Sequence, residues 1–311
     1  MRYGHGSVVT LRSGLIGVEI GLPSQPGYLP IIPKYFVCQE GPWSKGLIKF
    51  CRIIQSYGPT GVASSFSRSG LRLIYDPLYG ALMPYVSVDG VLDYRSPYET
   101  LLGRVLSGDG RLSHVVIKAT DLMANLSDGL ESLGLTGSFA MGTEEEFSDV
   151  DFIVYGEEAA EKAYEGFLAR AGPVECKEEF GGLRINGWRC LPWRRGVIEG
   201  LGRPVSWVGV PLMGPGAHCG PLIKGPGLYG LRPFEGKLTV PGSQPTALLY
   251  PPCVKTEEGY TLMSYEYNAG GPLYEGGEVK VLGLMAERLK VVIIGSREVP
   301  GSLRLLRPYG G

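Results

Sequence analysis

Apolar and polar positions alternate in short runs over roughly the first ninety residues. The stretches "SVVTL", "LIGVEIGL", "YLPIIPKYFV", "LRLIYD" and "YVSVDGVLDY" each carry the period-two pattern of a strand. Arg12, Ser13 and Gly14 fall between the first two and predict a hairpin. "GLIKFCRIIQSY" fits two patterns: Leu47, Phe50, Ile53 and Ile54 share a helical face, while its β-branched residues suit a strand. The texture changes at "RSPYETLLGRVL". Ser96 suits an N-cap, Pro97 the first helical position, and Glu99 completes a capping box, so a helix starts there. In "RLSHVVIKATDLMANL" the residues Leu112, Val115, Val116, Ala119, Leu122, Met123 and Leu126 form one apolar stripe, predicting a second helix packed on a sheet.

"LGLTGS" then reads as a short strand ending in a tight turn, and "DVDFIVYG" as a second strand. "EEAAEKAYEGFLARAG" reads as a helix with acids in its first turn. Two more strand-like runs follow, "GLRINGWRCL" and "RPVSWVGVPL". The Gly- and Pro-rich segment 214–225 looks like a linker, and "KLTV", "TALLYP", "YTLMSYEY", "EVKVLG", "LKVVIIG" and "SLRLLR" restore the all-β texture. The expected organisation is a β-rich N-terminal domain over 1–94, a compact unit over 95–213, the linker, and a β-rich C-terminal domain over 226–311. The fold class is α+β, with a central mixed sheet and helices.

A chain of 311 residues can bury a sizeable core without staples. Its 48 glycines and 24 prolines sit among 44% hydrophobic residues, so they punctuate turns rather than signal disorder. The net charge of -1 excludes a global field for nucleic acid or membrane, so any nucleic-acid contact is local. The N-terminus lacks the apolar core of a signal peptide, and no apolar run approaches the roughly 18 to 20 residues that span a bilayer. A cytoplasmic protein is expected. The six cysteines lie scattered without a CxxC pair and read as reduced, mostly buried thiols. Asn and Gln together number only seven, a shortage often met in thermophile proteins.

The chemistry concentrates in "TGSFAMGTEEEFSDVDFIVYG", residues 136–156. On a strand, Asp149 and Asp151 project from one face while Val150 points to the core. Like charges this close raise one another's pKa unless a cation neutralises them. Mg2+ does so with oxygen ligands, taking one or two protein carboxylates and completing its shell with water and phosphate. Gly137 and Ser138, at the end of the preceding strand, let the backbone approach a phosphate, and Gly142 and Thr143 extend the same loop. For the two aspartates alone, a solvated strand end remains the alternative.

The pattern G-S, x-x-x-G-T, then S-D-x-D with apolar residues after it resembles the nucleotidyltransferase superfamily of DNA polymerase beta. The likeness is to the subset with the archaeal CCA-adding enzymes and the minimal nucleotidyltransferases. It spans 137–154, and the whole chain resembles archaeal predicted nucleotidyltransferases. The resemblance implies a nucleotidyltransferase-like central sheet in which Ser138 contacts the triphosphate and Asp149 and Asp151 hold two Mg2+ ions. A hydroxyl acceptor, RNA or protein, then attacks the α-phosphate of an NTP and pyrophosphate leaves.

The family places a third carboxylate on the next core strand. The position aligned with it here is Ser206 in "RPVSWVGVPL"; Glu199 is the nearest upstream acid, and Glu175, Glu178 and Glu179 lie earlier. This departure supports a second hypothesis, a non-catalytic nucleotide- or RNA-binding protein that keeps the fold. Arg184, Arg189, Arg194 and Arg195 among Trp188 and Trp193 suit an RNA contact or, equally, a core with a solvated face. Glu144 to Glu146 read as a solvated loop. His5, His114 and His218 form no ligand pattern, and Gly295-Ser296 reads as a hairpin turn.

Overall fold

The computed structural model describes residues 4–20, 26–56, 58–76, 81–108, 112–170, 179–188, 193–197, 200–212, 218–219 and 229–309. These residues form both helices and sheets, and the chain divides into two compact units. The first comprises Met1–Ile54, Tyr85–Glu175 and Leu191–Gly214; the second comprises Gln55–Pro84, Cys176–Cys190 and Pro215–Gly311. Neither unit is continuous in sequence, so the segment 1–94, expected as one domain, is divided between them.

In the first unit an antiparallel sheet runs in the order Trp43–Lys45, Ile48–Arg52, Tyr28–Cys38, Ile16–Glu19, Val8–Leu11, Val91–Arg95. The hairpin at Gly14 is present, with φ of 83° at that glycine. "GLIKFCRIIQSY" resolves as strand over Ile48–Arg52, paired on both edges, while Leu47 stands fully exposed in the turn. Strand pairing also corrects the expectation of reduced cysteines. Cys51 sits opposite Phe36, two residues from Cys38, so the Cα atoms of Cys38 and Cys51 lie 5.7 Å apart and the pair is a disulfide. Cys219 and Cys253 are also bonded, and Cys176 and Cys190 lie outside the described residues.

The second sheet of this unit has four strands in the order Arg195–Val197, Pro204–Val210, Val150–Tyr155, Leu133–Thr136. Val150–Tyr155 runs parallel to Pro204–Val210 and antiparallel to Leu133–Thr136. The helices arise as their local signals dictate. Pro97–Ser107 begins with Ser96 Oγ accepting from the Glu99 amide at 3.3 Å. Ser113–Leu126 buries Val115, Val116, Ala119, Met123 and Leu126. Glu157–Arg170 buries Ala160, Ala163 and Phe167, with Phe167 edge-on to Trp207 at 6.5 Å between ring centres. Phe152 and Val154 on one face and Ile153 and Tyr155 on the other are buried, so Val150–Tyr155 is covered on both faces.

The second unit is built on a sheet ordered Glu179–Phe180, Leu183–Asn186, Ser302–Arg307, Gly277–Ala286, Val291–Ile294, Thr261–Ser264, Cys253–Lys255, with Arg232–Val240 paired along Gly277–Ala286. Its core gathers Leu183, Leu238, Val254, Leu262, Val281, Val292 and Leu303. Three expectations change here, and one helix appears that the sequence pattern did not announce. Leu183–Asn186 pairs with Ser302–Arg304 in this sheet and so leaves the central one. Pro245–Leu248 is a 3-10 turn, because Pro245 starts it and removes a ladder donor. Pro59–Arg68 is helical despite its β-rich neighbourhood; its apolar stripe amounts to little more than Val62 and Phe66. Gly295-Ser296 closes a turn onto Pro300, yet the strands around it each pair with Gly277–Ala286 rather than with each other. The linker expected at 214–225 falls outside the described residues except for His218 and Cys219. No described helix is long and apolar enough to cross a membrane.

Candidate functional site

Leu133–Thr136 and Val150–Tyr155 run antiparallel, so the end of one and the start of the other meet at the same edge of the sheet, with Thr136 opposite Asp151. The chain leaves Thr136 through Gly137, whose φ of 67° lies in the left-handed region. A Cβ at Gly137 would collide with Asp151 Oδ2 and lie 3.1 Å from its Cγ. Glycine is required here for backbone conformation and for space. The short helix Gly137–Met141 follows, with Ser138 buried in it, and Gly142 ends it at φ 74°. The Thr143 amide donates to the Ser138 carbonyl at 3.1 Å; the Thr143 hydroxyl is buried without a hydrogen-bond partner among the described residues.

The loop returning to Asp149 departs from the solvated reading. Glu144 is buried and ion-paired with Arg104. Glu145 accepts from Ser44 Oγ at 3.0 Å, and its amide donates to Ser148 Oγ at 2.9 Å, closing a turn. Glu146 stays exposed, 3.4 Å from Arg203. The charge turns inward because Lys45, Arg95 and Arg104 line a cavity of about 430 Å³ there, together with Ala140, Gly142 and Glu144. Nothing in the local sequence signals this, since Lys45 and Arg104 come from segments remote from the loop.

Register places four residues in one row across the sheet: Arg195, Ser206, Asp151 and Thr136. Residues in one row share a face. Ser206 Oγ donates to Asp151 Oδ1, and Arg195 Nε donates to Asp149 Oδ2 at 3.2 Å. Thr136 Oγ1 donates to the Gly6 carbonyl at 2.6 Å, tying the N-terminal segment to the row. Burial, and then the charge of Asp149, push the Asp151 carboxyl up to about 7; the Ser206 hydrogen bond and the charges of Lys34 and Arg194 act in the opposite direction. A desolvated carboxylate beside a second one, packed against a glycine where any side chain would displace it, is a donor set that fits an oxygen-liganded divalent cation.

The structure therefore brings Gly137, Asp149 and Asp151 together, with Ser138 in the adjoining turn. Gly142 and Thr143 stand at the far end of the short helix, where Gly142 faces Lys45. Ser206 occupies the place opposite Asp151. Glu199, Glu175 and Glu178 lie outside the described residues, and Glu179 belongs to the second unit. Arg195 was noted in the sequence only among basic residues near tryptophans; its pairing with Asp149 depends on a three-residue strand that carries no pattern of its own. Of those tryptophans, Trp193 is buried edge-on to Trp207 at 5.6 Å, and Trp188 packs on the core of the second unit. Arg189 lies outside the described residues.

Residues 121–199 match the family model described as nucleotidyltransferase domain. That span holds the glycine-serine turn and both aspartates, covers about a quarter of the 311 residues, and stops short of Ser206. No curated protein and no solved structure matches the chain.

Proposed function

We infer, from residues 121–199 being a domain of the nucleotidyltransferase superfamily, that this chain transfers a nucleoside monophosphate from an NTP to a hydroxyl acceptor in a Mg2+-dependent reaction that releases pyrophosphate. The observation that carries the reading is the contact of Gly137 with Asp151, which sets the glycine-serine turn directly against the carboxylate pair. Asp149 and Asp151 hold the Mg2+. The bound ion supplies charge neutralisation to the carboxylates and to the phosphate oxygens. Gly137 and Ser138 seat the phosphates, and Ser206 fixes the Asp151 side chain by its hydrogen bond. The cationic cavity of Lys45, Arg95 and Arg104 extends the anion-attracting surface beyond Gly142. An RNA hydroxyl is the acceptor class we favour.

The test is pyrophosphate release from each NTP, with Mg2+ and total host RNA, by wild type and by Asp149→Asn with Asp151→Asn. Release by wild type alone is the expected result. Nucleotide binding without release from any NTP would favour the binding protein instead, a reading that Ser206 opposite Asp151 supports.

A further inference from the structure

We infer that the carboxylate pair holds one divalent cation rather than two, because Ser206 and Arg195 stand where a second ion would need a further acid. The inference rests on the reading of Asp149 and Asp151 as metal ligands. Two carboxylates offer four oxygens. Asp149 Oδ2 lies 3.2 Å from Arg195 Nε, and Asp151 Oδ1 accepts from Ser206 Oγ. Asp149 Oδ1 and Asp151 Oδ2 remain, the latter packed against Gly137 in the position that a Cβ on residue 137 would take. One oxygen from each aspartate, with water and phosphate completing the shell, is how a single Mg2+ is ordinarily held.

A second ion beside the first needs more negative charge. Sites with two metals use carboxylates that bridge both ions, together with a further acid that serves one of them. The row position beside Asp151 holds the neutral hydroxyl of Ser206, and the next holds the guanidinium of Arg195. Among the described residues, the one cluster of three His, Cys or acidic side chains close enough to share an ion is His218 with the disulfide-bonded Cys219 and Cys253, and no such cluster includes the aspartates. Arg195 already pairs with Asp149 and would repel a cation placed on its side of the pair. Arg195 is thus a positioning residue that supplies charge where a second ion would stand.

Crystals of the full chain soaked with Mn2+ and α,β-methylene-ATP test this, because anomalous scattering counts the ions directly. We expect one peak per chain, bound by Asp149 and Asp151. In Arg195→Ala with Ser206→Asp we expect a second. The wild-type count alone decides should that variant not fold. Two peaks in wild type, or none, overturn the inference; loss of a second peak in Glu199→Gln would identify the acid responsible. A single peak without pyrophosphate release would sink the proposed reaction and leave the ion count standing.

Discussion

Ser206 stands opposite Asp151 on the neighbouring parallel strand and donates its hydroxyl hydrogen to that carboxylate. The bond holds Asp151 in one orientation, yet it leaves the acid desolvated beside Asp149. An ionised Asp151 carboxylate is therefore held in place at a cost to the fold.

That cost has a pH signature. The folded Asp151 carboxyl, raised to about 7 against an ordinary 3.8, binds a proton more readily than the unfolded one, so its contribution favours folding at low pH and is lost as pH rises through about 7. Asp151→Asn should stabilise the metal-free protein at pH 8 by about 1–3 kcal/mol after solvent screening. The gain should shrink toward pH 4. Urea unfolding of both proteins from pH 4 to 8 measures this, and a difference independent of pH would exclude it.

Gly137→Ala should cost the fold about 1–2 kcal/mol through its left-handed backbone and displace the Asp151 carboxylate from its position. Mg2+-dependent NTP affinity should fall by about 10-fold or more, on the order of 1.4 kcal/mol. Calorimetric titration gives the answer; unchanged affinity would mean that the turn does not approach the carboxylates as described.

Arg104 and Glu144 form a largely buried ion pair, with side-chain exposures of 15% and 2%. Removing one partner strands the other, so Arg104→Ala and Glu144→Ala should each destabilise by about 3 kcal/mol. Arg104→Leu with Glu144→Leu should recover much of the loss. A double-mutant cycle by denaturation reads the coupling directly, and additive losses would rule it out.

The Cys38–Cys51 disulfide closes a loop with a sequence separation of 13. Loops of this size restrict the unfolded chain by about 3 kcal/mol. Cys38→Ser with Cys51→Ser should therefore lower the thermal midpoint of the first unit by several degrees, and a reductant should have no further effect through this pair. A midpoint equal to that of the wild type would show that the bond adds nothing.

Where the chain carries its own local signals, the elements stand as the pattern implies: Ser96 caps its helix, the stripe from Val115 to Leu126 is buried, and Gly14 turns the first hairpin. The turn and the two aspartates were visible because one edge of one strand pair carries them. Arg195, Lys45 and Arg104 were not, since long-range register alone brings each to the site. Leu183–Asn186 misled for the same reason. A four-residue apolar run states that it is a strand and leaves open which sheet will accept it. The cysteines were misread because a disulfide depends on the pairing of two strands, and cysteine spacing does not reveal that pairing.

The division of the chain into interleaved segments also bears on synthesis. The first unit draws on residues up to Gly214, so its four-stranded sheet cannot close until the strand Pro204–Val210 has left the ribosome. By then Gln55–Pro84 and Cys176–Cys190 have already emerged, while the rest of the second unit, Pro215–Gly311, is still to be made. Fragments cut at any single point therefore leave at least one of the two units incomplete.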